Sequence, residues 1–540
     1  LYISIVAVFW LVRYGQLFYL ELPIYRPDWS GYAKVMVDIL SGETPDLTTR
    51  PPGFPLFVAL ALKTLGSHLY VIYAQATLRL IALLYLTFAA WRLHRGFGLL
   101  IGLSAIAVAG RYSGVELDSR MMSDSLYSSL IILAFAFVIR GIDRERWTYL
   151  AAASACVGYL ILTKPAGHWA LVTLALTWLT VIWNTRLSAT RSAIALAIPA
   201  VILVGGLTVY NGITTGTWRT SAYGGANIAG ATWFYWHKSP EYPAHVNALI
   251  DTIQRNATDC EQWPRRCIAP EDIETLRTSS ELNELSSAYG NLYGFWSQAW
   301  KFGLREFVFE HYGRSGHRNL KNIERMLYSL SLDAISREPR LYVATVLASL
   351  YRLDFHFAHD RYVFDAERAA KQLDRNTNFQ KRGWVQDDPR LTLGEFGKKS
   401  PADIERRIAL LRDGPMPAVP RLAKAYYENV HESLFNFRVL GVLFYPALII
   451  ATVVLIIARG RHKGAAIAFL VSSGALGASL IVALVEIGNG KYSEPTMILR
   501  YGAIASMALL LFRGKWGRKE ETDETAVPEE RPGQLEGMKG

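Results

Sequence analysis

Apolar residues in this chain gather into long runs joined by short polar connections, and the runs form two groups with a polar stretch between them. A helix needs about 20 mostly apolar residues to cross a bilayer. The runs that meet or approach that length are residues 1–22, 69–91, 97–112, 121–140, 147–163, 167–184, 191–210, 434–458, 464–487 and 496–512. They predict an all-α polytopic membrane protein with about ten transmembrane helices. The runs at 97–112 and 147–163 are short for a crossing.

The connections are patterned too. Arg92, His94 and Arg95 follow the second run, Arg140, Arg144 and Arg146 the fourth, and Arg186 and Arg191 the sixth. Arg459, Arg461 and Lys463 follow the eighth, and Arg513, Lys515, Arg518 and Lys519 the tenth. Every second connection is basic, which places those connections in the cytoplasm and the others outside.

Four zones follow. Residues 1–210 are an N-terminal membrane module with an exterior loop at 23–68, and 211–433 are an exterior segment. Residues 434–512 return to the membrane, and 513–540 form a polar tail, acidic after Lys519, that cannot bury a core. In the first exterior loop, Tyr32–Leu40 has helical spacing and Pro55–Leu65 is an apolar run ending at Gly66. Both are too short to span and predict helices lying along the interface. In the exterior segment, Ile323–Ser336 and Leu341–Leu353 also repeat at helical spacing, so the segment is expected to be mostly helical. The second is read as an interfacial helix, because an eleventh crossing would break the alternation of basic connections. Gly224-Gly225-Ala226-Asn227 predicts a turn facing the site.

A net charge of +11 accompanies 51% hydrophobic residues. Topology accounts for most of the basic excess, and no nucleic-acid motif stands out. Of three cysteines, Cys156 falls inside a run and is expected to pack, whereas Cys260 and Cys267 lie in the exterior segment and suit a disulfide there. The opening run has no small-residue cleavage site before Asp28 and is read as a retained span.

Chemistry points to the exterior ends of the runs. Asp28 lies just beyond the first run, in Arg26-Pro27-Asp28-Trp29-Ser30-Gly31-Tyr32, and Asp124 opens the fourth. Charges at the mouth of a helix bundle are costly to desolvate and mark sites for ions or chemistry. A carboxylate there can take a proton from an acceptor, and a nearby cation such as Arg50 can hold a departing phosphate. The ordinary reading of Asp124 is an N-cap of its helix, with Glu116 and Asp118 close by as alternatives. Arg79, charged within a run, calls for a partner such as Asp124 or Glu116, or for a ligand. Lys164 is read as snorkelling to the interface. His168, His356 and His359 show no ligand spacing with a carboxylate, and no cofactor is required, although two separated carboxylates are compatible with a divalent cation.

These motifs resemble a known family. Asp28-x3-Tyr32, Thr49-Arg50-Pro51-Pro52-Gly53-Phe54-Pro55, Leu65-Gly66 and Arg79 are similar to the first exterior loop of lipid-dependent glycosyltransferases with the GT-C fold. The likeness is to the protein O-mannosyltransferase and aminoarabinose transferase superfamily, glycosyltransferase family 39-like. Met121-Met122-Ser123-Asp124-Ser125-Leu126 looks like its second acidic position, and Gly490-Lys491-Tyr492-Ser493-Glu494-Pro495 like its late basic-Tyr-x-x-Pro element. The likeness runs over about residues 20–140, weakens over 141–235 and 485–512, and is absent over 240–430. Trp29 stands where many relatives carry a second acid, and Arg50 where the aminoarabinose enzymes often have Lys.

The resemblance implies a GT-C-like bundle in which Asp28 and Asp124 are catalytic and Tyr32, Arg50, Arg79, Lys491 and Tyr492 bind substrate. It implies a polyprenyl-phosphate sugar donor, a lipid, glycan or protein acceptor, and a multi-pass protein of the cytoplasmic (inner) membrane whose site faces the periplasm or exterior. The alternatives from other classes are a transporter or flippase of lipid-linked saccharides, and a non-catalytic envelope assembly protein.

Overall fold

The computed structural model describes residues 1–20, 29–110, 117–222, 224–259, 261, 268–290, 299–312, 320–354, 406, 409, 418–426, 437–457, 463–485 and 497–512. Asp28, Glu116, Cys260, Cys267, His356, His359, Lys491 and Tyr492 lie outside the described residues, as does the tail.

Every regular element among the described residues is helical, and each of the ten expected runs contains helix. Among the described residues, five helices are long and apolar enough to cross a membrane: Tyr70–Leu93, Asp124–Arg144, Pro165–Asn184, Ala189–Thr215 and Lys463–Leu484. Arg95–Gly110, Trp147–Thr163 and Tyr445–Ile457 are apolar but shorter. The chain is a multi-pass, all-helical membrane protein.

Small residues set how closely its helices approach. A Cβ on Gly158 would lie 2.8 Å from Leu203 and 3.1 Å from the Ala200 backbone, so glycine lets Trp147–Thr163 seat against Ala189–Thr215. Pro199 interrupts the second of these helices. Beside it, Ser154 Oγ donates to Leu196 O at 2.7 Å and accepts from Ala200 N at 3.1 Å, supplying hydrogen bonds across the break.

The first run is helical over Tyr2–Phe9 and Gly15–Leu20 but widens to a π-turn at Trp10–Tyr14. Arg13 within that turn is fully buried and gives two hydrogen bonds to the last carbonyls of Arg95–Gly110, 2.7 Å to Ala109 O and 2.5 Å to Val108 O. Terminal carbonyls without intrahelical donors are natural acceptors for a guanidinium.

At one end of the bundle the basic connections come together: Glu145 accepts from the Arg186 backbone at 3.2 Å and lies 3.5 Å from Lys463 Nζ. Asp124 and Lys164 mark the other end, at the start of one long helix and just past Trp147–Thr163.

The segment at 211–433 buries its own core, including Trp233, Trp236, Ile250, Tyr289 and Phe302. Leu320–Arg337 and Pro339–Asp354 are helices, as their spacing predicts. The latter lies against Lys463–Val485, with Tyr342 Oη donating to Leu484 O at 2.7 Å. Gly224-Gly225-Ala226-Asn227 is not a turn: it opens the Gly224–Thr232 helix. The glycines serve proximity there, since a Cβ on Gly225 would lie 2.3 Å from Glu324 O.

Candidate active site

The described part of the segment at 23–68 folds as two helices, Trp29–Ser41 and Gly53–Leu65. The apolar face of the first buries Tyr32, Ala33, Met36 and Val37. Pro52 precedes the second helix, and a Cβ on Gly53 would lie 2.7 Å from the Thr163 backbone N and the Leu162 carbonyl carbon. Only glycine allows that approach, and Gly53 O accepts from Tyr159 Oη at 2.8 Å. Phe54, directly after it, meets Tyr32 edge-on at 5.2 Å and Trp29 edge-on at 6.5 Å. The Pro-Pro-Gly-Phe stretch thus docks the Gly53–Leu65 helix on the bundle and braces Trp29–Ser41.

Arg50 lies across this junction. Its guanidinium carbon is 5.0 Å from the centre of the Tyr32 ring, a cation–π contact. Gly31 makes room, because a Cβ there would be 3.0 Å from Arg50 Cγ and Nε. The expected Asp28-to-Tyr32 helical face cannot be read, since Asp28 is outside the described residues. Tyr32 itself is buried, with its hydroxyl 3.1 Å from Ser123 Oγ. Burial raises its phenol above the ordinary range, while Arg50 and Lys164 pull it down and Asp124 pushes it up. One hydroxyl therefore senses all three charges.

Asp124 is not the N-cap. Ser123 holds that place, and Asp124 sits in the first helical turn, where a carboxylate suits the positive end of the helix. Its Oδ1 lies 2.7 Å from Lys164 Nζ. Lys164 ends Trp147–Thr163 in an extended conformation, which the following Pro165 favours. Its ammonium is also 5.9 Å from the Tyr127 ring centre, and Tyr127 Oη accepts from Trp169 Nε1 at 2.9 Å.

One turn beneath, Asp118 forms a buried ion cluster. Its Oδ2 is 3.0 Å from Arg13 Nη1 and its Oδ1 is 3.2 Å from Arg79 Nη1, while Ser125 Oγ donates to Oδ1 at 2.6 Å. Gln75 Nε2 reaches Arg120 O at 3.1 Å. A partner that Arg79 calls for is therefore found in Asp118. The cluster fixes the chain on both sides of Ser123 and Asp124.

Of the residues singled out in the sequence, Tyr32, Arg50 and Asp124 come together, and Arg79 lies in the adjoining ion cluster. Lys491 and Tyr492 are outside the described residues. Lys164 does not simply snorkel; it is the ion partner of Asp124. Arg13 escaped notice although a lone arginine in an apolar run was the available signal. No group of three or more His, Cys, Asp or Glu suited to a metal occurs among the described residues.

No family model and no curated protein matches the chain. Among solved structures, the chain is similar to ArnT from Cupriavidus metallidurans in the apo state, at 15% identity and a TM-score of 0.31 over 93% of this chain and 76% of that one. It is also similar to the same protein bound to undecaprenyl phosphate, at 17% identity and a TM-score of 0.29 over 91% of this chain and 76% of that one. At that depth of superposition, the chemistry has to be argued from the site's own residues.

Proposed function

We propose that this protein is an inverting glycosyltransferase with a GT-C-like bundle. It moves one sugar from a polyprenyl-phosphate carrier to an acceptor on the exterior face of the cytoplasmic membrane. The observation that carries the reading is convergence: Arg50 over Tyr32, Tyr32 on Ser123, and the Asp124–Lys164 pair beside them, at the end of the bundle away from the basic connections. Cations beside carboxylates at bilayer depth suit a substrate with a lipid tail and an anionic head.

In this reading Asp28 accepts the proton of the acceptor nucleophile as that atom bonds to the anomeric carbon. The bond from that carbon to the phosphate oxygen breaks on the opposite face, and its electron pair leaves with the polyprenyl phosphate, so the configuration inverts. Arg50 meets the charge developing on the phosphate. Asp124, held by Lys164, orients the sugar or the acceptor, and Lys491 and Tyr492 complete the phosphate rim. Arg79, paired with Asp118 through Nη1, is kept in this reading as a substrate-binding residue.

The test is purified protein in liposomes with a polyprenyl-phosphate sugar, following release of polyprenyl phosphate by mass spectrometry. Asp28→Asn should lower turnover by about 10²–10⁴-fold while leaving the fold intact. Envelope lipids and glycans that are unchanged between cells with and without the expressed protein would overturn the assignment.

A further inference from the structure

Glu324 is a buried carboxylate of the segment at 211–433, on Leu320–Arg337, remote in sequence from every residue given a role above. It accepts from Gly225 N at 2.7 Å. An anion at the start of Gly224–Thr232 satisfies an amide that has no intrahelical acceptor. Arg219 lies 3.8 Å from the same carboxylate. Glu324 thus meets the chain at Arg219 and again at Gly225.

Between those points the loop touches the site at two places. Ala222 N donates to Thr48 O at 2.8 Å, two residues before Arg50. Thr220 Oγ1 lies 3.4 Å from His168 Nε2, in the Pro165–His168 turn that directly follows Lys164. Thr48 is itself shaped by Asp46, whose Oδ1 accepts from the Thr48 amide at 2.9 Å and from its hydroxyl at 2.6 Å. Tyr210 donates to Pro45 O at 2.9 Å. Local bonds therefore define the bend of the Arg50 segment, and Ala222 ties that bend to the segment at 211–433.

We infer that Glu324 is a positioning residue: through Ala222 in the loop at 219–222 it fixes the segment that carries the cation Arg50. This role rests on the transferase reading, in which Arg50 holds the donor phosphate. Glu324 touches no substrate, and its effect reaches the ligand by way of Arg50.

Two measurements on the full chain in detergent test it: hydrogen exchange of peptides covering 45–50 and 217–222, and affinity for undecaprenyl phosphate. Glu324→Ala should speed exchange in both peptides and weaken binding by about 5–30-fold, the loss of one buried charge-assisted contact. Glu324→Gln keeps an acceptor for Gly225 N and should stay within about 3-fold of wild type. Ala222→Pro deletes the N–H received by Thr48, leaves Glu324 in place, and should weaken binding as Glu324→Ala does; it carries the test should the alanine variant not fold. Adding Glu324→Ala to Arg50→Ala should cost nothing more, because both act on one contact. Unchanged exchange in Glu324→Ala, or losses that multiply in the double variant, would overturn the inference. Wild-type binding by Arg50→Ala would instead bring down the transferase reading, and this role of Glu324 with it, whatever the exchange data show.

Discussion

Lys164 Nζ and Asp124 Oδ1 lie 2.7 Å apart, across 40 residues of sequence, and join the end of one helix to the start of another. The carboxylate side chain is 5% exposed and the ammonium 21%, so neither charge is cheaply left alone. Lys164→Met should destabilise the protein by roughly 2–3 kcal/mol, below the full value for a wholly buried pair because water reaches the lysine. Adding Asp124→Asn should restore part of that loss. Thermal unfolding in detergent measures both, and a double variant no more stable than Lys164→Met refutes the pairing as a stability element.

Arg50 should not be replaceable by lysine. The guanidinium carbon lies 5.0 Å from the Tyr32 ring centre, and a guanidinium can bind a phosphate through two parallel N–H groups, which an ammonium cannot. Arg50→Lys is expected to lose about 10-fold or more in affinity for undecaprenyl phosphate, and Arg50→Ala about 100-fold. Equal affinities for Arg50→Lys and wild type would remove the guanidinium geometry from the account.

Gly53→Ala tests how the Gly53–Leu65 helix is docked. The added methyl would lie 2.7 Å from the Thr163 backbone N and from the Leu162 carbonyl carbon, atoms that cannot rotate aside. A cost of about 1–3 kcal/mol follows, with weaker phosphate binding as Phe54 and Arg50 shift. Stability and binding both at wild-type levels would show that the helix does not sit as described.

Acid should loosen the segment at 211–433 through Glu338. A two-pronged hydrogen bond from Arg277, at 2.9 Å on each arm, holds this carboxyl below its ordinary value of 4.5, against an opposing push from burial. His237 Nε2 adds a contact at 2.9 Å. A lowered folded-state value means that the stabilisation is present above the ordinary carboxylate range and is lost as pH falls below about 4.5. Because the pair is partly exposed, about 1 kcal/mol is at stake. Glu338→Gln should be less stable than wild type at pH 7, and the gap should narrow as pH falls below about 4.5. A gap independent of pH over that range contradicts the ion-pair origin.

Much of the fold was legible in the sequence because the bilayer imposes a length and a polarity on each run, so the helix within each expected run and in both short runs of residues 23–68 could be read from periodicity. The site was legible only where neighbours in sequence are neighbours in space. Arg50 and Tyr32 could be associated through one loop, but no local pattern ties Lys164 to Asp124 or Arg13 to Asp118. Those contacts belong to helix packing. Gly224-Gly225 misled for a related reason: two glycines normally signal a bend, but here a carboxylate from another helix satisfies the Gly225 amide and Leu320–Arg337 passes close by. The widening at Trp10–Tyr14 has no sequence signature beyond the arginine it presents.

Pro199 and Ser154 carry a consequence for how this sequence can drift. A lone hydroxyl on one helix patches a gap that a cyclic side chain opens in its neighbour, so neither change is neutral by itself. Lineages that discard the ring are then free to discard the hydroxyl, while those that keep the ring must retain a small group able both to give and to receive. The two positions should covary among descendants of this chain, although 45 places separate them along it.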